Sequence, residues 1–305
     1  MKIIVTVPPY AKYVEEALEQ TIVSGLRLNT VLPVKDPLEN IVHGLRKRCG
    51  SKNLWIDLKS RQLRVKSAAY APYAYVELSH PIEVELPVEV LLNGGAIKAT
   101  CIAIDGAKLI LEDLPPVPFG AGMSLNILHP TLTVKGFLTE RDRNYITAAR
   151  EVDHHLYMLS FVENTKDIEQ LFELDPEAQI LAKIESEKGV AWVKDEYSIS
   201  NEDWKKQVHL VAARGDLYLE LDEPATLPQK LEDTIKADPK AVAASRIFES
   251  FCEKENTSPT CQEIMDITLL RKMGYESFLL GDELGFSKSS LLKALEALSK
   301  VTTSD

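Results

Sequence analysis

The fold is decided by two stretches, Ile180-Leu181-Ala182-Lys183-Ile184-Glu185 and Val211-Ala212-Ala213-Arg214-Gly215-Asp216-Leu217. Each begins as a short apolar run, which is typical of a strand buried in a parallel sheet, and each ends in charged residues. Burying an unpaired charge is costly, so these charges are expected at strand ends rather than inside the core. In α/β barrels the carboxyl ends of the strands carry the active site. The two stretches therefore predict a barrel with a charged site at one end.

Strands and helices alternate over most of the chain, which favours a parallel sheet. Helices are predicted over Ala11–Ser24, with Gly25 as the C-cap, over Asp36–Cys49, after Thr139 as an N-cap, and between the Ser258 cap and Gly274. Eight βα units predict the α/β class and a closed (β/α)8 TIM barrel. The eight predicted strands are Lys2–Val7, Leu26–Val31, Leu54–Lys59, Leu156–Val162, Ile180–Glu185, His209–Arg214, Ala241–Ser245 and Phe278–Gly281.

One segment interrupts this alternation after the third strand. From about Lys66 to Val134 the helical period disappears, and the hairpin turn signals Asn93-Gly94 and Asp105-Gly106 flank an alternating stretch, Ile97–Ile104. The prolines between 115 and 118 predict a further turn. The segment is typical of a small antiparallel β domain inserted into the barrel. We therefore assign residues 1–65 and 134–305 to the barrel and 66–133 to the inserted β domain.

Composition limits the classes of partner. The net charge is −11, from 35 basic and 46 acidic residues, which disfavours nucleic acid or an anionic membrane as a partner. The four cysteines show no CxxC spacing, which predicts free thiols in a reducing cytoplasm rather than a zinc site or a disulfide framework. No apolar run reaches membrane-spanning length, and the chain opens on a strand rather than a signal peptide.

The charged residues at the strand ends suggest a chemistry. Glu185 and Asp216 suit a hard cation such as Mg²⁺ or Mn²⁺, which binds one or two carboxylates and leaves room for substrate oxygens. Lys183 projects to the same side of its strand as Glu185 and could stabilise an enolate or carry a proton. Arg27 and Arg64 match the oxygens of a phosphoryl group. The site would therefore take a small phosphorylated or carboxylated acid.

Several other polar residues share this predicted rim, and each has a structural alternative. A single Arg or Asp at such a place often forms a structural ion pair, as Asp57 and Lys59 can with their neighbours. His154 and His155 project to opposite sides of the chain, which argues against a joint metal site. The Gly215 amide can approach a carboxylate closely. The full predicted rim comprises Arg27, Asn29, Asp57, Lys59, Arg64, Ser160, Lys183, Glu185, Arg214, Asp216, Ser245 and Glu283.

These residues resemble the pyruvate kinase family. The segment 182–189 resembles its Lys-Ile-Glu segment, and 213–217 resembles its Ala-Arg-Gly-Asp-Leu segment. The strand at 56–64 resembles the one that leads into the inserted β domain of that family. Further similar segments follow in the same order at 138–142, 160–162 and 259–266.

The resemblance implies an activity. It implies transfer of a phosphoryl group between phosphoenolpyruvate and a nucleoside diphosphate (ADP, with ATP as the product) through a Mg²⁺-bound enolate of pyruvate. Glu185 and Asp216 would hold the Mg²⁺ or Mn²⁺, and Lys183 would stabilise the enolate. The same resemblance implies a barrel covered by a β-domain lid.

The resemblance also implies substrate contacts. Arg27 would contact the transferred phosphate, and Gly215 would bind the carboxylate. Apart from the resemblance, we also predict Asp216 and Arg64 as substrate ligands, Arg64 because a guanidinium matches phosphoryl oxygens. Ser245 stands where the family has a threonine near the proton-delivery side, so it is a candidate catalytic residue.

The sequence departs from the family at several motifs. Asn29-Thr30-Val31 and Asp57-Leu58 lack two hydroxyls that help the family bind a monovalent cation, so K⁺ binding at Asn29 and Asp57 is an open question. Ser60-Arg61-Gln62 and Pro8-Pro9-Tyr10-Ala11 replace motifs on the nucleotide side. The chain ends at Asp305, and we expect regulation through the C-terminal domain of that family to be absent.

Three functions fit these observations. The first is pyruvate kinase activity, and the second is the same metal–enolate chemistry on another 2-oxo or phosphorylated acid. The third is a non-catalytic relative that binds a metabolite or a protein. The retained carboxylates Glu185 and Asp216 favour an enzyme, whereas the altered cation motifs favour the third. The oligomeric state is left open by the sequence.

Overall fold

A computed structural model describes residues 1–70, 73–113, 115, 119–253 and 256–302. Within these residues the chain forms two compact units, Met1–Leu58 with Asn144–Asp305, and Lys59–Arg143. The first unit holds a closed barrel of parallel strands, and the second holds antiparallel sheets. The predicted TIM-barrel class with an inserted β domain is therefore confirmed. The second unit extends beyond the 66–133 segment at both ends.

The barrel strands follow the order β1-β16-β15-β14-β13-β12-β3-β2, and every neighbouring pair is parallel. Most strands are followed by a helix that covers the sheet, as in other (β/α)8 folds. The strands are β1 Lys2–Thr6, β2 Val23–Asn29, β3 Asn53–Leu58, β12 Leu156–Leu159, β13 Gln179–Ile184, β14 Val208–Ala213, β15 Val242–Ala244 and β16 Ser277–Leu279. The helices are α1 Val14–Glu19, α2 Leu38–Cys49, α3 Glu140–Glu151, α4 Thr165–Leu174, α5 Glu187–Trp192, α6 Arg214–Glu220, α7 Leu227–Ala237, α8 Cys261–Met273, α9 Asp282–Gly285 and α10 Lys288–Thr302.

The sequence signals for helix ends are only partly confirmed. Gly274 adopts φ +113° and ends α8, as predicted. The N-cap of α8 is Thr260, not Ser258, because Thr260 forms a reciprocal capping box with Glu263. The first helix is much shorter than Ala11–Ser24, and Gly25 is not its cap but lies inside β2. A side chain at Gly25 would stand 2.8 Å from the Asn53 carbonyl oxygen, so close strand pairing explains this glycine.

The interior of the barrel is apolar at mid-height. Ile4, Leu181, Val211 and Leu279 come from separate strands yet form one buried cluster, to which Met158, Val242 and Ala244 also belong. Side chains alternate along a strand, so the inward residue after Leu181 is Lys183. The apolar layer therefore ends one step before the carboxyl ends of the strands, where the charged side chains begin.

The second unit is an antiparallel β structure with its own core. Its larger sheet has the order β10-β7-β8-β9-β5-β4, and β6 pairs with β11. The predicted hairpins at Asn93-Gly94 and Asp105-Gly106 join β7 to β8 and β8 to β9. The prolines at 116 and 118 lie outside the described residues. The strands are β4 Val65–Ala69, β5 Tyr75–Leu78, β6 Ile82–Glu83, β7 Val88–Leu92, β8 Ile97–Asp105, β9 Lys108–Leu111, β10 Leu125–Asn126 and β11 Thr133–Val134.

Two global properties of the chain can be read from these elements. None of the described helices combines the length and the apolar character that a membrane crossing requires. The cysteines are free thiols: Cys49 and Cys101 are buried, and Cys252 and Cys261 are exposed.

Candidate active site

A buried lysine lies at the centre of the charged end of the barrel. Lys183, on β13, is 6% exposed, and its Nζ lies 3.0 Å from Asp57 Oδ1 and 3.3 Å from Glu185 Oε1. Burial lowers the pKa of Lys183, but the charges of Asp57 and Glu185 outweigh burial and leave that pKa above its ordinary value. Lys183 is therefore an ammonium ion held between two carboxylates at the end of the apolar interior.

Arg27, on β2, shares Asp57 with Lys183. The Arg27 Nε and Nη2 atoms donate to Asp57 Oδ2 at 2.9 and 2.6 Å, and Nη1 donates to Thr6 Oγ1 at 3.2 Å. Arg27 Nη2 also lies 3.5 Å from Asp282 Oδ2. The Asn29 side-chain amide donates to both carboxylate oxygens of Asp282, at 2.8 and 2.9 Å. Two cations and two aspartates are thus linked into one network across β1, β2, β3, β13 and the start of α9.

Glu185 is a buried carboxylate whose charge is only partly compensated by its neighbours. Its Oε2 accepts a hydrogen bond from the Phe161 amide at 2.8 Å. Burial raises the pKa of Glu185, and the nearby charge of Asp216 raises it further, so it stays above its ordinary value despite Lys183 and the Phe161 amide. Glu185 and Asp216 would hold a divalent cation such as Mg²⁺ or Mn²⁺, which accepts two carboxylates as ligands and would supply further positive charge. The residues therefore fit the predicted metal. The described residues contain no group of three or more His, Cys, Asp or Glu side chains arranged to hold a metal ion.

Gly215, Asp216 and Ser245 lie where β14 and β15 end. The predicted strand includes Arg214, but β14 ends at Ala213 and Arg214 begins α6. Gly215 and Asp216 therefore lie in the first turn of that helix. A side chain on Gly215 would meet Ser245 Cβ at 3.3 Å and Oγ at 3.4 Å. Ser245 adopts φ +68°, a left-handed conformation that is uncommon for a residue other than glycine and often marks a functional site. Gly215 and Ser245 are therefore close neighbours across two strand ends.

Arg214 donates hydrogen bonds within the first unit, and Arg64 donates hydrogen bonds within the second. The Arg214 guanidinium donates to Asp266 at 2.6 Å and to the Ser245 carbonyl at 2.7 Å, so it ties α8 to the loop after β15. Arg64 is not at the end of a barrel strand, because β3 ends at Leu58, and it belongs to the second unit. There it donates to Gln62 Oε1 at 2.9 and 2.7 Å and to the Gly122 carbonyl at 2.6 Å.

Two contributions to the site were not predicted from the sequence. Asp282 is absent from the predicted rim, which contains its neighbour Glu283; it stands three residues after the end of β16 and begins α9. Asp57 was predicted only as a cation ligand or as the partner of a near neighbour, whereas it bridges Arg27 and Lys183. Asp282 could have been predicted from the rule that polar residues following barrel strands lie at one rim.

The fold and the site together define a class. A closed (β/α)8 barrel with an inserted antiparallel β unit and ionised side chains at the carboxyl ends of its strands belongs to the TIM barrels, whose active sites lie at that end. A family model described as pyruvate kinase, barrel domain, matches residues 53–283. The chain belongs to the pyruvate kinase family.

Individual relatives agree with this assignment. The chain is 23% identical to a pyruvate kinase of Borreliella burgdorferi, over 92% of this chain and 64% of that protein. It is 24% identical to a pyruvate kinase of Methanocaldococcus jannaschii, over 98% of this chain and 68% of that protein. The crystal structure of Cryptosporidium parvum pyruvate kinase shares the fold, with a TM-score of 0.74, 19% identity and coverage of 98% of this chain and 69% of that one. The chain thus spans about two thirds of the length of the relatives it matches.

Proposed function

We propose that the chain transfers a phosphoryl group between phosphoenolpyruvate and a nucleoside diphosphate by way of the enolate of pyruvate. The observation that carries this proposal is the buried Lys183 ammonium, which lies 3.3 Å from Glu185 at the end of the barrel interior. A fixed cation in a site of low dielectric stabilises a negative oxygen far better than it would in water. Membership of the pyruvate kinase family supports the same reaction.

Lys183 would act on the oxygen that becomes negative when the phosphoryl group leaves phosphoenolpyruvate. Its ammonium group is already held in place by Asp57 and Glu185, so little reorganisation is needed when charge develops. In the reverse direction the same charge favours loss of a methyl proton from pyruvate. Mg²⁺ or Mn²⁺ held by Glu185 and Asp216 would supply further positive charge for the phosphoryl and carboxylate oxygens of the substrate.

Arg27 would bind the phosphoryl group. A guanidinium carries five N–H donors, of which the contacts with Asp57 and Thr6 use three. The N–H groups that remain can reach phosphoryl oxygens while Asp57 keeps the guanidinium plane fixed. Restricting the arginine in this way lowers the entropy lost when substrate binds.

Gly215 and Ser245 would bind and protonate the other end of the substrate. Gly215 has no side chain where one would press against Ser245, so its backbone amide can approach a carboxylate. Ser245 would place its hydroxyl near the carbon that receives a proton, in the position where the family has a threonine.

The second unit, Lys59–Arg143, is our proposed lid, and Arg64 within it our proposed substrate ligand.

A second candidate is the same enolate chemistry on another 2-oxo or phosphorylated acid. The observation that favours it is the pair of altered motifs Ser60-Arg61-Gln62 and Pro8-Pro9-Tyr10-Ala11, which stand on the nucleotide side in the family. Under either candidate the partners are small acids, with ADP or ATP required only under the first. The free cysteines suit a cytoplasmic location.

The test separates enolate formation from phosphoryl transfer. Exchange of the methyl protons of pyruvate with D₂O is followed by NMR in the presence of Mg²⁺ and without nucleotide, and ATP formation from phosphoenolpyruvate and ADP is measured next. Pyruvate kinase activity requires both reactions. Exchange without ATP formation would favour the second candidate, and the absence of both would contradict an enolate-forming enzyme.

Lys183→Met is the decisive variant for this proposal. We expect it to lower both rates by about 10²–10⁴-fold, the range lost with a group that assists proton transfer. Lys206→Met is the matched control, because Lys206 is exposed and its ion pair among the described residues is with Asp203 on the surface. Equal rates in the two variants would remove Lys183 from the mechanism.

A further inference from the structure

The segment 245–248, which follows β15 at the carboxyl end of the barrel, has an unusual backbone. Ser245, Arg246 and Phe248 adopt φ values of +68°, +55° and +51°, in the left-handed region where residues other than glycine are uncommon. Such conformations persist only where the surrounding structure enforces them, and they cluster at functional sites. The segment is therefore a candidate for a role beyond connecting β15 to the next element.

The buried guanidinium of Arg214 holds the segment in this conformation. Its Nη2 donates to the Ser245 carbonyl at 2.7 Å and to the Arg246 carbonyl at 3.2 Å. Ile247 and Phe248 are buried, so their side chains anchor the segment from the inside. These contacts fix the backbone and leave the side chain of Arg246 exposed at the surface of the segment.

The backbone does not require an arginine at position 246, because glycine adopts the same region without a steric penalty. The Arg246 guanidinium carbon lies 5.0 Å from the centroid of the Tyr218 ring, which fixes the position of the charge. Among the residues that the structure describes, this guanidinium forms no hydrogen bond or ion pair, and Glu249 Oε1 accepts from the Arg246 backbone amide instead, at 2.9 Å. Its five N–H donors are thus available to a ligand.

Tyr218 places this charge beside the proposed substrate site. Tyr218 lies on α6 three residues after Gly215, a rise of about 4.5 Å along the helix. Side chains on a helix point back toward its amino end, so the Tyr218 ring covers the turn that contains Gly215. Ser245, the chain neighbour of Arg246, stands 3.3 Å from where a side chain on Gly215 would lie. The Arg246 guanidinium therefore lies at the same two strand ends as Gly215 and Ser245.

We propose that Arg246 binds a second anionic group of the acid, and that the substrate is a 2-oxo dicarboxylic acid or its enol phosphate. The inference rests on the proposed function, in which Gly215 binds the first carboxylate and Ser245 faces the carbon that receives a proton. A carboxylate attached beyond that carbon would lie on the Arg246 side of Ser245, so the group belongs to the acid rather than to the nucleotide. A guanidinium binds a carboxylate through two parallel hydrogen bonds, which suits this contact to substrate selection.

The test measures selectivity between acids that differ by one carboxylate. Exchange of the C3 protons of 2-oxoglutarate and of 2-oxoadipate with D₂O is followed by NMR with Mg²⁺, beside the methyl exchange of pyruvate. We expect kcat/KM for at least one dicarboxylate to exceed that for pyruvate. Arg246→Gln should lower this ratio by about 10–100-fold, as when a hydrogen bond to a charged group is lost. A wild-type preference for pyruvate over both dicarboxylates would overturn the proposal.

Arg150→Gln is the matched control, because Arg150 is exposed in the last turn of α3, before β12 begins. It should leave the ratio unchanged, and an equal ratio in the two variants would remove Arg246 from substrate selection. Arg246→Lys keeps the charge without the paired N–H geometry, so it should recover part of the lost ratio. A changed KM for ADP in Arg246→Gln, with the ratio between acids intact, would assign the guanidinium to nucleotide phosphates and overturn the proposal.

A binding measurement separates this inference from the proposed reaction. Addition of 2-oxoglutarate or 2-oxoadipate should raise the unfolding midpoint of the full chain with Mg²⁺, and the rise should be smaller in Arg246→Gln than in Arg150→Gln. If neither proton exchange nor ATP formation occurs while this difference is found, the proposed function fails and the inference about Arg246 stands. If pyruvate exchanges while the dicarboxylates neither exchange nor raise the midpoint, the inference fails and the enolate-forming function stands.

Discussion

At the amino end of the barrel buried carboxylates are surrounded by hydrogen-bond donors, whereas at the carboxyl end they are paired mainly with other charges. Asp238, which follows α7 and precedes β15, accepts from the Leu210 and Lys240 amides at 2.8 and 3.0 Å and contacts His209 at 3.2 Å. Burial raises the pKa of Asp238, but these donors outweigh burial and leave that pKa below its ordinary value. The charged form is thus well accommodated there.

The same arrangement occurs two strands away. Asp175 follows α4 and precedes β13, and it accepts from the Tyr157 hydroxyl and from His155 Nδ1, each at 2.8 Å. In both places an aspartate after a helix binds groups at the start of the preceding strand. Such contacts join αβ loops to the base of the barrel, which is the end associated with stability.

Glu185 at the opposite end shows the reverse balance. Its pKa is raised, because burial and Asp216 together exceed the effect of Lys183 and one backbone amide. The fold is therefore able to satisfy a buried carboxylate fully, and it does so at the base but leaves Glu185 short of positive charge. A shortage of this kind is expected where a metal ion or substrate completes the site.

Glu185→Gln should lower turnover strongly without destabilising the folded protein. We expect turnover to fall by about 10²–10³-fold, as when one preorganised electrostatic contact is removed. Without Mg²⁺ the free energy of unfolding should rise, because the amide relieves the repulsion with Asp216 and still accepts from the Phe161 amide. Methyl exchange of pyruvate and urea unfolding measure the two effects.

Glu187→Gln is the control for that prediction. Glu187 begins α5 two residues later and pairs with Lys230 at the surface, at 3.3 Å. It should leave turnover unchanged. A Glu185→Gln protein that is markedly less stable than this control would show that Glu185 is a structural carboxylate like those at the base.

His154 is an exception at the amino end and allows a sharper test. It is 3% exposed, its Nε2 has no hydrogen-bond partner within the part of the chain that the structure describes, and burial lowers its pKa from 6.5 to about 4. As the pH falls from 6.5 to about 4, the unfolded chain binds a proton that the folded chain excludes, so stability decreases. The full loss is about 3 kcal/mol.

The variant His154→Leu should remove this part of the pH dependence. Well above pH 6.5 the ring is neutral in both states and contributes no slope, so the two proteins should differ there by a constant amount. Urea unfolding between pH 4 and 7.5 provides the measurement, at roughly half-unit steps. Parallel stability curves for the two proteins over the whole range would contradict the lowered pKa.

Much of the fold could be predicted because the barrel strands are short and buried on both faces. Continuous apolar runs such as 210–213 have few other interpretations once helices alternate with them. The prediction of Gly25 as a helix C-cap is wrong, although a glycine after a helical pattern usually ends the helix. Here the Asn53 carbonyl on β3 leaves no room for a side chain. That constraint arises between residues distant in sequence and has no local signal.

The candidate site could be predicted only in part, for a related reason. The position of Lys183 beside Glu185 follows from strand geometry, since residues two apart on a strand project to the same side. The bridge from Asp57 to Arg27 and Lys183 depends on the register of three strands, and that register cannot be deduced from the sequence. Asp282 follows a strand of only three residues, so its place in the network emerges only when the barrel closes.

The smallest expected effect concerns the base of the barrel, where Asp175→Asn should lower stability and leave turnover unchanged. The amide presents N–H groups to Tyr157 and His155, which lose a charged acceptor, and a buried donor left unpaired costs about 1–3 kcal/mol. Asp153→Asn changes the other carboxylate on His155, at 3.3 Å, but Asp153 is 99% exposed, so its loss should stay within about 0.5 kcal/mol. Urea unfolding of both proteins ranks the two carboxylates directly. An equal loss in both would show that the base is held by surface charge rather than by buried hydrogen bonds.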